Sequence, residues 1–205
     1  MVSGKCEIRP GVLITGSSQG LGRYLAFVFA ENNWDVVLHG RNGIRLEEVC
    51  REISKFQVSH EVVIGDLRDT ATLNELYSLA RDRNISVLVN NAAVICPSLP
   101  LNELSDKTID EMIETNLIAP IKLCQRIYPI FAERGNGVII NINSLVGQEP
   151  KKLRSLYTAS KWGLRGFSES LKLEAEKYGV SVASVYMSKI RLTEEDEFGM
   201  DPWEV

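Results

Sequence analysis

At 205 residues, with 44% hydrophobic and 24% charged residues, the chain has the make-up of one soluble globular domain (1–205) with room for a substantial core. A net charge of −4 gives no general attraction to nucleic acid or acidic membranes, and there is neither an apolar N-terminal leader nor a run near the ~18 apolar residues of a membrane span. Four cysteines at 6, 50, 96 and 124 form no Cys-x-x-Cys and there are only two histidines, so no metal centre is expected and the thiols read as reduced, in a cytoplasmic chain.

Short apolar runs alternate with helical patterns. VLIT (12–15) reads as a strand and leads through Gly16 into a helix ending near Asn32 and Asn33. DVVLHG (35–40) is a second strand, 43–54 a helix, EVVIGD (61–66) a third strand, 70–82 a helix and SVLVNN (86–91) a fourth strand. A long helical region follows over about 103–133, with Ser105 as N-cap and Pro120 and Pro129 as bends or turns. NGVIININS (136–144) is the fifth strand, about 154–178 a helix stopped by Gly179, and VSVASVYM (180–187) the sixth strand. This alternation predicts an α/β, Rossmann-like doubly wound parallel sheet of about six strands with helices on both faces. Ligands of such sheets bind beyond the carboxyl ends of the strands.

The strand ends carry chemistry. TGSSQGLG (15–22) puts Thr15, Gly16, Ser17, Gly20, Leu21 and Gly22 where a strand turns into a helix, a turn suited to a dinucleotide pyrophosphate, although the spacing is GxxxGxG and not GxGxxG. The second strand ends in HGRN (39–42). Arg41, not an acidic residue, stands where a ribose 2′-hydroxyl is usually bound, so NADP(H) is favoured over NAD(H), with Ser17 offering a hydroxyl to the 2′-phosphate. Asp66, followed by Leu67, ends the third strand and suits an adenine amino group or a helix cap. Tyr157 and Lys161, four apart in YTASK, share one helix face. With six tyrosines in the chain, that pair alone carries little weight.

Taken together, TGSSQGLG, Asp66, NNAA (90–93), Asn116 in TNL, Ser144 in INSLVG and YTASK resemble the short-chain dehydrogenase/reductase family, ordinary non-extended branch, over roughly residues 10–190. The resemblance implies hydride transfer between a nicotinamide and a ketone, aldehyde or secondary alcohol. Tyr157 is then general acid and base, with its pKa lowered by Lys161; Ser144 holds the carbonyl oxygen; Asn116 holds a relay water. It also implies cofactor contacts at Asn90, Ala92, Tyr157, Lys161 and Ile190. The alternative is a dinucleotide-binding regulatory protein of this fold with little or no catalysis.

Two departures accompany the resemblance. YMSKIRLT (186–193) has Met187 and Ser188 where the family has Pro-Gly, and Thr193 falls one position late. The sequence also ends before the family's usual last helix and seventh strand, leaving either a short member or an incomplete chain; EEDE (194–197) is then a lid or a solvated loop. A homodimer through the helices near 103–133 and 154–178 is expected. The substrate is a small molecule, with Val94, Ile95, Leu99, Leu145 and Val146 suggesting an apolar portion.

Overall fold

The computed structural model describes residues 9–188; Cys6, Ile190, Thr193, the acidic run 194–197 and the segment 201–205 lie outside the described residues. Strands β1 (Gly11–Ile14), β2 (Asp35–Gly40), β3 (His60–Ile64), β4 (Ile85–Asn90), β5 (Gly137–Ser144) and β6 (Val180–Met187) form one sheet in the order β3-β2-β1-β4-β5-β6. Every pairing is parallel. Strand order reverses between β1 and β4, so their carboxyl ends frame the switch-point crevice.

Register explains the layers. Val37, Leu13, Leu88, Ile139 and Val182 lie in one row across five strands. They point to one face and pack with Leu73, Leu76 and Ala80 of α3 (Thr70–Asp82), with further apolar residues of α5 (Ala119–Arg134), and with Leu171 and Ala175 of α6 (Ser155–Ala175). The next row, Leu38, Ile14 and Val89, points the other way. It packs with Ala26 and Ala30 of α1 (Gly20–Glu31) and with Leu46, Val49 and Ile53 of α2 (Gly43–Ile53). Each fully buried aliphatic side chain in these layers contributes about 1.5–3 kcal/mol. Because both faces are covered, the strands read as apolar runs and not as alternating ones.

The region 103–133 is not one bent helix. It opens with a 3₁₀ turn (Leu101–Glu103), followed by α4 (Asp106–Ile113), a π turn (Glu114–Ile118) and α5. Ser105 caps α4 as expected, its hydroxyl accepting from the Thr108 N–H at 3.2 Å. Pro120 lies two residues past the π turn, in helix that runs unbroken from Asp106, and Pro129 lies inside α5. The irregularity is the π turn, and Pro120, which has no N–H to give to the turn before it, follows directly. α6 ends at Ala175, and a 3₁₀ turn (Glu176–Tyr178) leads to Gly179, which takes φ +68 as the helix stop.

One buried polar chain crosses the second half of the sheet. The Asn90 amide donates to Asn141 Oδ1 at 2.8 Å, and the Asn141 amide donates to Ser168 Oγ at 2.8 Å. Ser168 in turn donates to the Leu164 carbonyl at 2.6 Å. This ties β4, β5 and α6 together with the buried donors satisfied.

Candidate active site

The glycine turn is built by close approach. Gly16 takes φ +67, and a Cβ there would lie 2.8 Å from the Ala92 Cα. Thr15 Oγ1 accepts from the Asn91 and Ala92 N–H groups at 3.0 and 3.1 Å, while the Asn91 amide donates to the Thr15 and Gly16 carbonyls at 2.9 and 3.1 Å. Gly22 is confined by the turn itself, not by helix-on-strand packing: a Cβ would lie 2.3 Å from the Gly16 carbonyl oxygen. Behind the turn, α1 begins at Gly20 with no side-chain cap and no acidic residue in its first turn. Its first N–H groups and the positive end of its dipole thus lack an anionic partner from their own helix. Leu21 is buried in that same turn.

A cavity of about 220 Å³ opens beside it, lined by Gly16, Ser18, Gln19, His39, Arg41, Arg45, Asp66, Leu67 and Ala92 among others. The sequence reading brought Gly16, Arg41, Asp66, Leu67 and Ala92 to this place and missed Ser18, Gln19, His39 and Arg45. Arg41 reaches Glu111 at 3.4 Å and Asp66 at 3.9 Å, with its side chain largely exposed. Arg68 grips Asp66 through two nitrogens, at 3.0 and 2.7 Å, and holds its carboxyl below the usual carboxylate range. Asp66 is no helix cap: α3 starts from Asp69. Ser17 corrects an expectation. It is fully buried, and its hydroxyl is engaged with the His39 N–H at 2.9 Å and the His39 carbonyl at 3.2 Å. Ser18, not Ser17, lines the cavity. The Asn90 side chain belongs to the core network, which leaves its backbone for a cofactor.

A larger hollow of about 1020 Å³ lies at the opposite, amino-terminal end of the strands, bordered by Arg9, Asp35, His60 and Glu61. None of the predicted site residues lines it.

Ser144, Tyr157 and Lys161 meet at the carboxyl end of β5. Tyr157 lies in the first turn of α6, packed with Cys96, Met112, Val146 and Leu156. Lys161, one turn on, is 3% exposed; its Nζ donates to the Ile142 carbonyl at 2.8 Å and lies 5.8 Å from the Tyr157 ring centroid. Burial pushes the Lys161 pKa down to about 8. The lowering of the Tyr157 pKa expected from Lys161 is not what the geometry produces. Burial pushes Tyr157 up, against smaller opposing contributions from a Ser144 hydrogen bond and the Arg154 charge. Both groups share one desolvated corner, which disfavours phenolate and ammonium alike. Arg154, which the sequence reading passed over, also donates to the Cys96 carbonyl at 2.8 Å and so pins the loop after β4 to the start of α6.

Asn116 sits in the π turn, 1% exposed. Its amide oxygen accepts from the Val94 N–H at 2.7 Å, and its amide nitrogen donates to the Val94 carbonyl at 2.8 Å and to Ser160 Oγ at 3.4 Å. The side chain therefore holds the loop after β4. Ile95 and Leu145, expected along an apolar substrate wall, are 63% and 41% exposed, and Val146 is buried against Tyr157. Met187 lies beside Ser144 in the β5–β6 register. Among the described residues no helix is long and apolar enough to cross a membrane.

Comparison with known proteins gives this arrangement its family. A sequence model described as short chain dehydrogenase matches residues 11–197. The ketoacyl reductase HetN of Nostoc sp. is 33% identical over 187 residues, covering 89% of this chain, which spans only 65% of that relative's length. The bulky-bulky ketone specific alcohol dehydrogenase from Comamonas testosteroni superposes with a TM-score of 0.89 at 29% identity, over 95% of this chain and 78% of the other. A short-chain dehydrogenase from Sphingobium yanoikuyae in complex with NADPH superposes with a TM-score of 0.87 at 30% identity, over 94% and 80%. With the family model matching most of the chain and the fold superposing on solved members, the chain is a member of the short chain dehydrogenase family.

Proposed function

We propose that this chain is an NADP(H)-dependent oxidoreductase that interconverts a ketone or aldehyde with a secondary alcohol, using Tyr157 as general acid and base. The observation that carries this reading is the buried corner where Ser144, Tyr157 and Lys161 meet, with burial holding the phenol protonated. A protonated Tyr157 is the form needed to give a proton to a carbonyl oxygen during reduction. Ser144 donates a second hydrogen bond to that oxygen and orients it. Lys161, titrating near 8, takes up or releases a proton near neutral pH and holds the ribose hydroxyls. The Asn116 side chain is occupied, so its share in a water relay falls to its main-chain carbonyl.

The residues suit a dinucleotide, which when bound supplies or accepts the hydride. The uncapped start of α1 suits the pyrophosphate, and Thr15, Gly16, Gly20, Leu21 and Gly22 shape that turn. Asp66 and Leu67 suit adenine, and the backbone of Asn90 and Ala92 suits its ribose. Arg41 and Arg45 flank the cavity and suit a 2′-phosphate, and the NADPH in the Sphingobium relative supports that preference. The half-exposed apolar wall and the ketone-acting relative favour a substrate with an apolar flank.

Calorimetric titration with NADPH and NADH tests the reading. Tight NADPH binding and much weaker NADH binding are expected. Arg41→Ala is expected to weaken NADPH by about tenfold, the scale of a charge-assisted phosphate contact, and to leave NADH nearly unchanged. Equal losses for both nucleotides would remove Arg41 from 2′-phosphate recognition.

For assembly we propose the helix-to-helix homodimer, supported by Leu173 and Trp162 of α6, exposed to 75% and 47%. Light scattering should read twice the chain mass; a monomer or a tetramer would overturn it.

A further inference from the structure

We propose that His39, held as the neutral Nε2–H imidazole, is a positioning residue that fixes the phosphate-binding turn before the dinucleotide arrives. This rests on the cofactor reading above.

His39 is the penultimate residue of β2 and is 2% exposed. Its ring spans two neighbouring turns. Nδ1 lies 3.3 Å from the Gly16 nitrogen, and Nε2 lies 3.1 Å from the Gly65 carbonyl oxygen. An amide can only donate and a carbonyl can only accept, so Nδ1 must carry the lone pair and Nε2 the hydrogen. The other neutral tautomer fails at both contacts, and the imidazolium fails at Gly16.

The backbone of the same residue adds a second grip. The Ser17 N–H donates to the His39 carbonyl at 2.8 Å, and Ser17 Oγ accepts from the His39 N–H at 2.9 Å. One residue thus links the β1–α1, β2–α2 and β3–α3 turns, on which Gly16, Arg41 and Asp66 stand. Burial pushes the His39 pKa down to about 4, against the Gly65 hydrogen bond and the Asp66 charge and with a smaller push from Arg41, so the ring is neutral.

There is a chemical consequence. The ring takes the Gly16 N–H, so that amide is not a phosphate donor. Phosphate oxygens fall instead to the uncapped first turn of α1. Gly16, in its left-handed conformation, is held by its N–H to His39 and by its carbonyl to Asn91. A histidine serving only as core filling would need neither polar contact, and Phe would replace it without effect on binding.

The test uses the full 205-residue chain, ¹⁵N-labelled, with NADPH as probe. In wild type at pH 7 the ring-nitrogen shifts should show the Nε2–H tautomer, and the Gly16 amide should exchange slowly with solvent. His39→Phe should raise the NADPH Kd on the order of tenfold, as expected for a turn amide left without its acceptor. His39→Gln, which keeps an acceptor and a donor, should recover part of that loss. An Nδ1–H tautomer, a fast-exchanging Gly16 amide, or unchanged NADPH affinity in His39→Phe would each overturn the proposal. If His39→Phe does not fold, the wild-type signals and His39→Gln decide. If wild type itself does not bind NADPH, the cofactor reading fails, and the ring and Gly16 signals still report separately whether the clamp exists.

Discussion

Tyr157→Phe is expected to lower turnover of a ketone by about 10³-fold, within the range lost when a positioned general acid is removed. The substitution deletes one oxygen and leaves the ring in place. Its packing against Cys96, Met112, Val146 and Leu156 is kept, so the first turn of α6 and the loop after β4 should not move. NADPH affinity should stay within a few fold, because the residues that suit its phosphates and adenosine, the start of α1 and the cavity lining at Arg41, Asp66 and Leu67, are left unchanged. Steady-state rates with NADPH on a panel of apolar ketones, run beside calorimetry, separate the two effects. Turnover like that of wild type would show that Tyr157 is not the proton donor. Loss of rate together with loss of NADPH binding would mean that the variant damages the site rather than its chemistry.

Gly22→Val is expected to abolish NADPH binding and to destabilise the fold. A Cβ at residue 22 would lie 2.3 Å from the Gly16 carbonyl oxygen and 2.5 Å from the Asn91 amide nitrogen. Neither neighbour is the free end of a flexible side chain. The carbonyl is backbone, and the Asn91 amide is anchored at 2.9 Å to the Thr15 carbonyl. Relief therefore requires the turn to shift, which breaks the bonds that shape it. Overpacking of this kind costs about 1–3 kcal/mol, more when hydrogen bonds go with it. For a chain of this size that lowers the melting temperature by roughly 2–12 °C. Thermal unfolding and NADPH titration check both parts. A variant that melts with wild type and still binds NADPH would refute the close approach at residue 22.

How much of this was legible in the sequence depends on whether a feature is local. Strands β1 to β6 were visible because parallel strands buried on both faces leave short apolar runs between helical patterns, but the same unbroken runs hide the register that aligns Leu13, Leu88 and Ile139. The caps at Ser105 and Gly179 were visible because they depend on a few neighbouring residues. Tyr157, Lys161 and Ser144 were found through a family resemblance. Their titration was not, because burial is a property of the whole corner and not of the four-residue spacing. His39 was passed over because nothing in HGRN shows that Gly16 and Gly65 flank the ring. Asn90 and Asn91 are adjacent and chemically identical, yet one joins the core and the other holds the glycine turn. Only the end of β4 decides which is which. Ser17 and Ser18 divide in the same way, one buried against His39 and the other lining the cavity.

The π turn at Glu114–Ile118 was not foreseen, although Pro120 stands two residues beyond it. Its effect is one of phase. Each residue of an α-helix advances the direction of the side chain by about 100°, so a turn widened by one residue offsets the next helix by that angle. α4 turns Met112 into the small cluster around Tyr157, while α5 turns Leu123, Ile127 and Phe131 into the main sheet core. These are two separate cores, and a straight helix would aim correctly at only one of them. Residues 114–118 act as a coupling between shafts set at different angles. Shortening them by one residue would restore a regular helix and turn one of its two ends away from its core.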